Sequence, residues 1–445
     1  MSERRKVLEL FEQQEESLRK KISEGIERHR KGNALLTVVD ASGQPLSNVT
    51  VKVKQKSHAF RFGANIFMLD ELETEEKNEA YKKAFADMFN MATLPFYWDS
   101  LEPERGNPRY GKDSVKVYRR PSPDLCIEFC EKHGIEPREH ALAYDAFFPK
   151  WLYGASTEEV KRELVRRYAE ISERYADKIP TIEVTNELWW KEGKTAFYHE
   201  PDFVEWCFKL AEQYFPNNTL AINEGTGLIW GRDASSDDKY YSYIKENLQK
   251  GARIDAIGLQ FHLFHKRENE YIRTRRTLDP DNLYQSMEHF SEFGKPLQIT
   301  EVTVPAYSWE AEDEEIQAEL IEWLYSIWFS HPKVEQIVYW NVVDGYAHLW
   351  DPDPQKIKES QGDMTIGENY FHGGLLRFDL SPKPAYCKIK ELLQKRWHTE
   401  EELVTDENGC VAFRGFFGAY DVEINGRVVE FELSATSENR ETVTV

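Results

Sequence analysis

Apolar positions along the chain follow two rhythms. From residue 3 to residue 30, Val7, Leu8, Leu10, Phe11, Leu18, Ile22 and Ile26 recur at helical spacing among charges, which predicts an amphipathic helix ending near Gly32. The stretch "NALLTVVDASGQPLSNVTVKVKQ" then alternates apolar and polar residues around a turn at Ser42, Gly43 and Gln44, a hairpin-like signal. The far C-terminus is built in the same style. There "VTDENGCVAFRGFFGAYDVEINGRVVEFEL" gives short strands split by Asn408-Gly409, Gly415, Gly418 and Asn425-Gly426. Neither end has enough strands to bury a core alone, so the two are expected to pair into one small β-sandwich beside the main domain.

Between about residues 59 and 398 the pattern changes to short apolar runs separated by long helical stretches. Eight runs read as strands: "FRFGANIF" (60–67), "MFNMATLPF" (88–96), "EPREHALAY" (136–144), "TIEVTNE" (181–187), "TLAINE" (219–224), "IDAIGLQFH" (254–262), "PLQITEV" (296–302) and "QIVYWNV" (336–342). Amphipathic segments such as "TEEVKRELVRRYAEISERYADK" and residues 314–330 lie between them. This alternation is that of a parallel sheet covered by helices, and eight units predict a (β/α)8 barrel, the TIM-barrel architecture. The expected organisation is an N-terminal helix (1–32), sandwich strands (33–58), the barrel (59–398) and the strands completing the sandwich (399–445).

Composition narrows the partners. The 57 basic and 78 acidic residues leave a formal net charge of −21, which argues against nucleic acid or an anionic membrane surface as the main partner and favours a neutral or cationic ligand. Twelve Trp, 22 Tyr and 25 Phe suit flat faces stacking on sugars, although most such rings serve a core. The start "MSERRKVLELFEQQEESLRKK" has no continuous apolar segment, and no apolar run reaches membrane-spanning length, so the expected location is cytoplasmic. Cys126, Cys130, Cys207, Cys387 and Cys410 are odd in number and scattered, with no disulfide or zinc pattern. Cys126 and Cys130 read as buried thiols on one helix face.

Several predicted strands finish in polar residues: Asn186 and Glu187, Asn223 and Glu224, Gln260 and His262, Glu301, and Trp340 with Asn341. A barrel brings all of these ends to one face, where its active sites are built. Glu187 and Glu301, on the fourth and seventh strands, form a carboxylate pair of the kind that cleaves glycosidic bonds, one acting as acid and the other as nucleophile or base. Trp189 and Trp190 follow Glu187 and offer apolar walls that raise a carboxyl pKa. His262 ends the strand before Glu301 and is placed to orient it. A metal site on His262 and His265 is the competing reading, but an i, i+3 pair at a strand end need not converge and no His-Glu-x-x-His helix accompanies it. No metal or cofactor is expected.

These segments resemble glycoside hydrolase family 10, known for retaining endo-β-1,4-xylanases. The resemblance runs over roughly residues 60–390. "EVTNE" is similar to the family's acid/base segment, "LQITEVTV" to its nucleophile segment and "IGLQFH" to its Gln-x-His strand. "LAINE" matches the fifth strand, "VYWNVVDG" the eighth, and "GLLRFDLSPKPAY" the entry to the closing helix. The resemblance implies Glu187 as acid/base and Glu301 as nucleophile. It also implies substrate contacts by Asn186, His140, Gln260, His262 and Trp340, and by Tyr144 and Asp145, which stand where the family carries a Trp-His pair.

The departures bear on substrate choice. Where the family carries Glu, Asn and Lys that grip the non-reducing-side sugars, this chain has Thr93, Leu94 and Tyr97; His348 stands where a Trp is usual, with Trp350 two residues on. A subsite rebuilt with Leu94, Pro95, Phe96 and Tyr97 is expected to be more apolar than a xylan groove. The function that follows is a retaining β-glycosidase acting on oligosaccharides or small glycosides. A non-catalytic glycan-binding protein on the same barrel is the alternative.

Overall fold

The computed structural model describes residues 3–189, 193–231, 238–350, 359 and 361–445. Two N-terminal strands, β1 (Lys31–Val39) and β2 (Thr50–His58), precede eight parallel ones: β3 (Arg61–Asn65), β4 (Met91–Pro95), β5 (Glu136–His140), β6 (Thr181–Asn186), β7 (Thr219–Glu224), β8 (Ala256–His262), β9 (Leu297–Thr303) and β10 (Val334–Tyr339). β3 to β10 pair in chain order and close, β10 beside β3, into a barrel. All eight predicted strands are present. Both faces of the barrel are covered, one by its interior and one by helices, and every residue of β9 is buried. The helix Thr157–Tyr175 shows the covering layer. Ser156 and Glu159 cap its start reciprocally, and Val160, Leu164, Tyr168 and Ile171 form its buried stripe.

Five further strands, β11 (Glu400–Val404), β12 (Cys410–Phe416), β13 (Gly418–Ile424), β14 (Arg427–Leu433) and β15 (Arg440–Thr444), join β1 and β2 in two sheets ordered β12-β1-β15 and β11-β2-β13-β14. Leu36, Val38, Val51, Val53, Phe413, Tyr420, Val422 and Phe431 fill the space between them. The hairpin expected between β1 and β2 does not form. The chain turns at Asp40–Gln44 as predicted, but both edges of β1 are taken by β12 and β15 and both edges of β2 by β11 and β13, so the two strands enter opposite sheets.

The N-terminal helix runs in three pieces, Arg4–Leu8, Glu9–Gln13 and Glu15–His29. It packs on the helix Ala311–Ser330: Phe11 stacks on Trp323 at 5.8 Å, and Gly25 comes so near that a β-carbon there would meet the Ser330 carbonyl at 2.6 Å. Arg4 anchors its start by ion pairs to Glu270 (3.1 Å) and Asp313 (2.9 Å). An aromatic junction of His58, Phe60, Phe62, Phe329, Trp397 and Phe416 joins sandwich to barrel. It lies where β3 and β10 begin, the barrel face opposite the strand ends that carry Glu187 and Glu301. Cys126 and Cys130 are buried thiols on the helix Pro123–His133. No described helix is long and apolar enough to cross a membrane.

Candidate active site

At the C-terminal ends of the barrel strands lies a cavity of about 1090 Å³, lined among others by Phe67, Tyr97, Tyr144, Asn186, Glu187, Gln260, His262, Glu301 and Trp340. Glu301 is its most heavily supported carboxylate. Asn223 Nδ2 and Gln260 Nε2 each donate to Oε1 at 3.0 Å, and His262 Nε2 lies 3.1 Å from Oε2. Strand register produces this: Gln260 stands opposite Glu301 across the β8–β9 pair, and Asn186 stands opposite Asn223 across β6–β7. Gln260 Nε2 also donates to Asn186 Oδ1 at 3.1 Å, tying the neighbour of Glu187 to Glu301. Burial pushes Glu301 well above the usual carboxylate range, and Glu187 and Glu183 push the same way while His140 opposes them. Three N–H donors around its oxygens act against that burial by rewarding the ionised form.

Burial lowers His262 to about 4, so the ring is neutral at physiological pH. Thr303 Oγ1 lies 2.9 Å from Nδ1; with the hydroxyl donating there, the proton resides on Nε2 and points at Glu301. Both ring nitrogens are thereby engaged within the carboxylate network, which leaves the His262–His265 metal reading without its first ligand.

Glu187 sits directly after β6 with φ 49°, a left-handed conformation that costs a residue with a β-carbon roughly 1–2 kcal/mol. This bend turns the chain off the strand at the carboxylate. Tyr144 donates its hydroxyl to Glu187 Oε2, and burial followed by the charge of Glu187 holds that phenol well above its ordinary pKa, so it remains a donor. Glu224 supports the turn from beneath, accepting from the backbone N–H of Leu188 (2.8 Å) and of Gly225 (2.7 Å).

A buried charge network lies under the floor. Glu183 pairs with Arg138 (2.5 Å) and with His140 Nδ1 (2.8 Å), and His140 Nε2 meets the Tyr97 hydroxyl at 2.9 Å. Burial alone lowers a histidine, but Glu183 outweighs it and raises His140; burial raises Glu183, and His140 with Arg138 outweigh it and lower it. His140, Glu183 and Glu301 bring potential ligand atoms within 4.8 Å of one another. The Arg138 guanidinium already neutralises Glu183, so this donor set is spent on an ion-pair network.

The structure brings Asn186, Tyr144, Gln260, His262 and Trp340 to the cavity with the two glutamates. Two expected contacts are placed elsewhere. His140 is buried behind Tyr97 and Trp340, with ring centroids at 5.2 and 5.3 Å, because Tyr97 covers it. Asp145 turns its carboxylate to the backbone N–H of Lys194 and the hydroxyl of Thr195 (2.5 Å), so it fastens the segment after β6 and does not face the cavity. Of the expected apolar subsite, Tyr97 lines the cavity, while Leu94 and Phe96 are buried in the core. Trp189 is partly exposed and packs edge-on against Tyr243 at 5.0 Å; Trp190 lies outside the described residues. Asn223, a strand-end residue given no role from the sequence, is a direct partner of Glu301. Arg119 and Arg120, in the long connection after β4, also line the cavity, and no periodicity marked them.

Known proteins resemble this chain in sequence and share the barrel. The endo-1,4-beta-xylanase 2 of Arabidopsis thaliana is 25% identical over 406 residues, covering 89% of this chain and 32% of that protein. The endo-1,4-beta-xylanase B of Thermotoga neapolitana is 25% identical over 329 residues, covering 72% of this chain and 84% of that one. The chain thus spans about a third of the length of the plant relative. Among solved structures, xylanase 10B of Thermotoga petrophila in complex with xylobiose aligns with a TM-score of 0.57 at 22% identity, covering 76% of this chain and 95% of that one. The intracellular xylanase of Thermoanaerobacterium saccharolyticum aligns at 0.56 and 20%, covering 75% and 96%. The model of glycosyl hydrolase family 10 matches residues 53–391, and with that match over most of its length the chain belongs to glycosyl hydrolase family 10.

Proposed function

We propose that the chain hydrolyses β-glycosidic bonds in oligosaccharides of the β-1,4-xylan type, with retention of anomeric configuration. The observation that carries this is the unequal treatment of two carboxylates at one cavity: Glu301 accepts from Asn223 and Gln260 and faces His262, while Glu187 meets the protonated Tyr144 hydroxyl. Glu301 attacks the anomeric carbon as Glu187 gives its proton to the departing oxygen. The glycosyl ester on Glu301 is then cleaved by a water whose proton returns to Glu187. Asn186 and Trp340 hold the sugar. The division into helix, sandwich and a barrel of residues 59–398 belongs to the same proposal, as does a cytoplasmic location.

Replacing Glu301 by Ala is expected to abolish turnover of xylo-oligosaccharides and aryl β-xylosides. Glu187→Ala should slow oligosaccharide cleavage by about 100-fold or more and spare substrates whose leaving group needs no proton. Product anomers followed by NMR should appear first as β. Unchanged rates in both variants would leave only the glycan-binding alternative.

A further inference from the structure

Arg119 and Arg120 follow β4 and precede the helix Pro123–His133, and both line the cavity. Adjacent residues of an extended chain point apart; the left-handed backbone of Arg119, φ 59°, breaks that alternation. Arg119 is only 4% exposed. One of its terminal nitrogens donates to Asn341 Oδ1 (3.1 Å) and the Tyr346 carbonyl (2.6 Å), while its Nε is buried without a hydrogen-bond partner. Arg120 lies over the Tyr97 ring, 3.8 Å from the centroid, and donates to the Arg119 carbonyl at 2.9 Å. A guanidinium stacked on a ring keeps the N–H groups at its edge available.

Five other arginines are held by carboxylates or by backbone carbonyls. Arg4 and Arg138 have carboxylates; Arg30, Arg109 and Arg167 each donate to three backbone carbonyls. Among the described residues, neither Arg119 nor Arg120 has a carboxylate at ion-pair distance, in a chain with 78 acidic residues against 57 basic ones. Glu368 is held one step away, accepting from Asn341 Nδ2 at 3.1 Å, and Asp99 acts on Arg120 through space. Two cations beside a sugar seat, one buried and one partly exposed on the cavity wall, make an incomplete site. A planar anion completes it through paired N–H bonds. The net charge of −21 disfavours a polyanion, so the fitting ligand carries one such group on an otherwise neutral saccharide.

We propose that Arg119 and Arg120 form a carboxylate-binding wall, so that the saccharide preferred by the cavity bears a uronic acid. The seat of the sugar, against Tyr97 and Trp340, rests on the hydrolytic function proposed above. The test compares one xylo-oligosaccharide with and without a single glucuronic acid branch. Wild type should favour the acidic form by about tenfold or more in kcat/KM, and Arg120→Gln should cut that ratio by about tenfold. Arg119→Lys, which keeps the charge and loses the fork, should fall between them. Circular dichroism verifies that each variant is folded. An unchanged ratio in both variants, or a wild-type preference for the neutral form, would overturn the inference, as would stronger inhibition by glucose 6-phosphate than by glucuronate.

Binding separates this inference from the hydrolytic one. Calorimetric titration of the Glu301→Gln protein with the same two oligosaccharides needs no turnover. Tighter binding of the acidic form, removed by Arg120→Gln, supports the wall even where no hydrolysis is seen; equal or absent binding of both sinks it.

Discussion

Burial lifts Glu224 to about 8, with Glu187 adding to the effect, against 4.5 for an ordinary glutamate. The folded chain therefore holds this proton more tightly than the unfolded one. The stability that follows is fully present below pH 4.5 and is lost as pH rises through 8. Glu224→Gln removes the titration, so its stability relative to wild type should improve between pH 5 and pH 8 by on the order of 3 kcal/mol. Urea midpoints of both proteins at the two pH values measure this, and a difference that does not change with pH would contradict a protonated Glu224. His262 runs in the opposite sense. Its pKa is depressed to about 4, so its contribution is present above the ordinary histidine pKa and lost on acidification towards 4. Tyr144→Phe takes the hydroxyl from Glu187 and should lower kcat by about tenfold while leaving the urea midpoint nearly unchanged.

Between elements, tolerance is narrow where β8 passes β7. A β-carbon at Gly258 would lie 2.4 Å from Asn223 Oδ1 and 2.9 Å from the Ile222 carbonyl. Asn223 is fixed by Thr300, which donates to Oδ1 at 2.7 Å, and by its own bond to Glu301. Gly258→Ala must displace it, so a loss of about 1–3 kcal/mol in stability is expected together with a fall in kcat, read by urea unfolding and initial rates. Gly258→Ala should add no further fall in kcat once Asn223→Ala is present; an additive fall would show that the loss does not run through Asn223. The strands themselves were legible because each is an apolar run ended by a polar residue, and Glu187, Glu301, Gln260 and His262 are those ends. What the pattern cannot carry is partner choice. Alternation in β1 and β2 says that each is a strand with one buried face, not that β12 and β13 will claim their edges before they meet each other. Asp145 was misplaced for a related reason: motif position located the residue, but the segment after β6 competes for its carboxylate. Arg119 and Arg120 sit in an aperiodic connection, where burial depends wholly on tertiary closure.

At the scale of the molecule, stability and chemistry occupy opposite faces of the barrel. The sandwich draws strands from both chain ends and meets the barrel through Phe416, whose ring lies 5.4 Å from His58 and 6.1 Å from Phe329; Phe329 in turn packs at 4.3 Å on Trp397. Arg30 locks the same junction, stacking over Phe60 at 4.7 Å and donating to the carbonyls of Phe329, His331 and Val334. Phe416 belongs to β12 yet is buried in the barrel's hydrophobic core, so neither part can unfold without exposing the other. One calorimetric transition is therefore expected. Phe416→Ala, a change in the sandwich, should destabilise the barrel as well, by about 3 kcal/mol, with enzymatic activity and β-sheet circular dichroism lost at the same urea concentration. Two separated transitions, or activity that survives sandwich unfolding, would mean that the junction is only contact between independent domains. Removal of residues 399–445 tests the same coupling more severely. It strips the partners from β1 and β2 and leaves open strand edges beside an uncovered aromatic patch, so the shortened chain should aggregate.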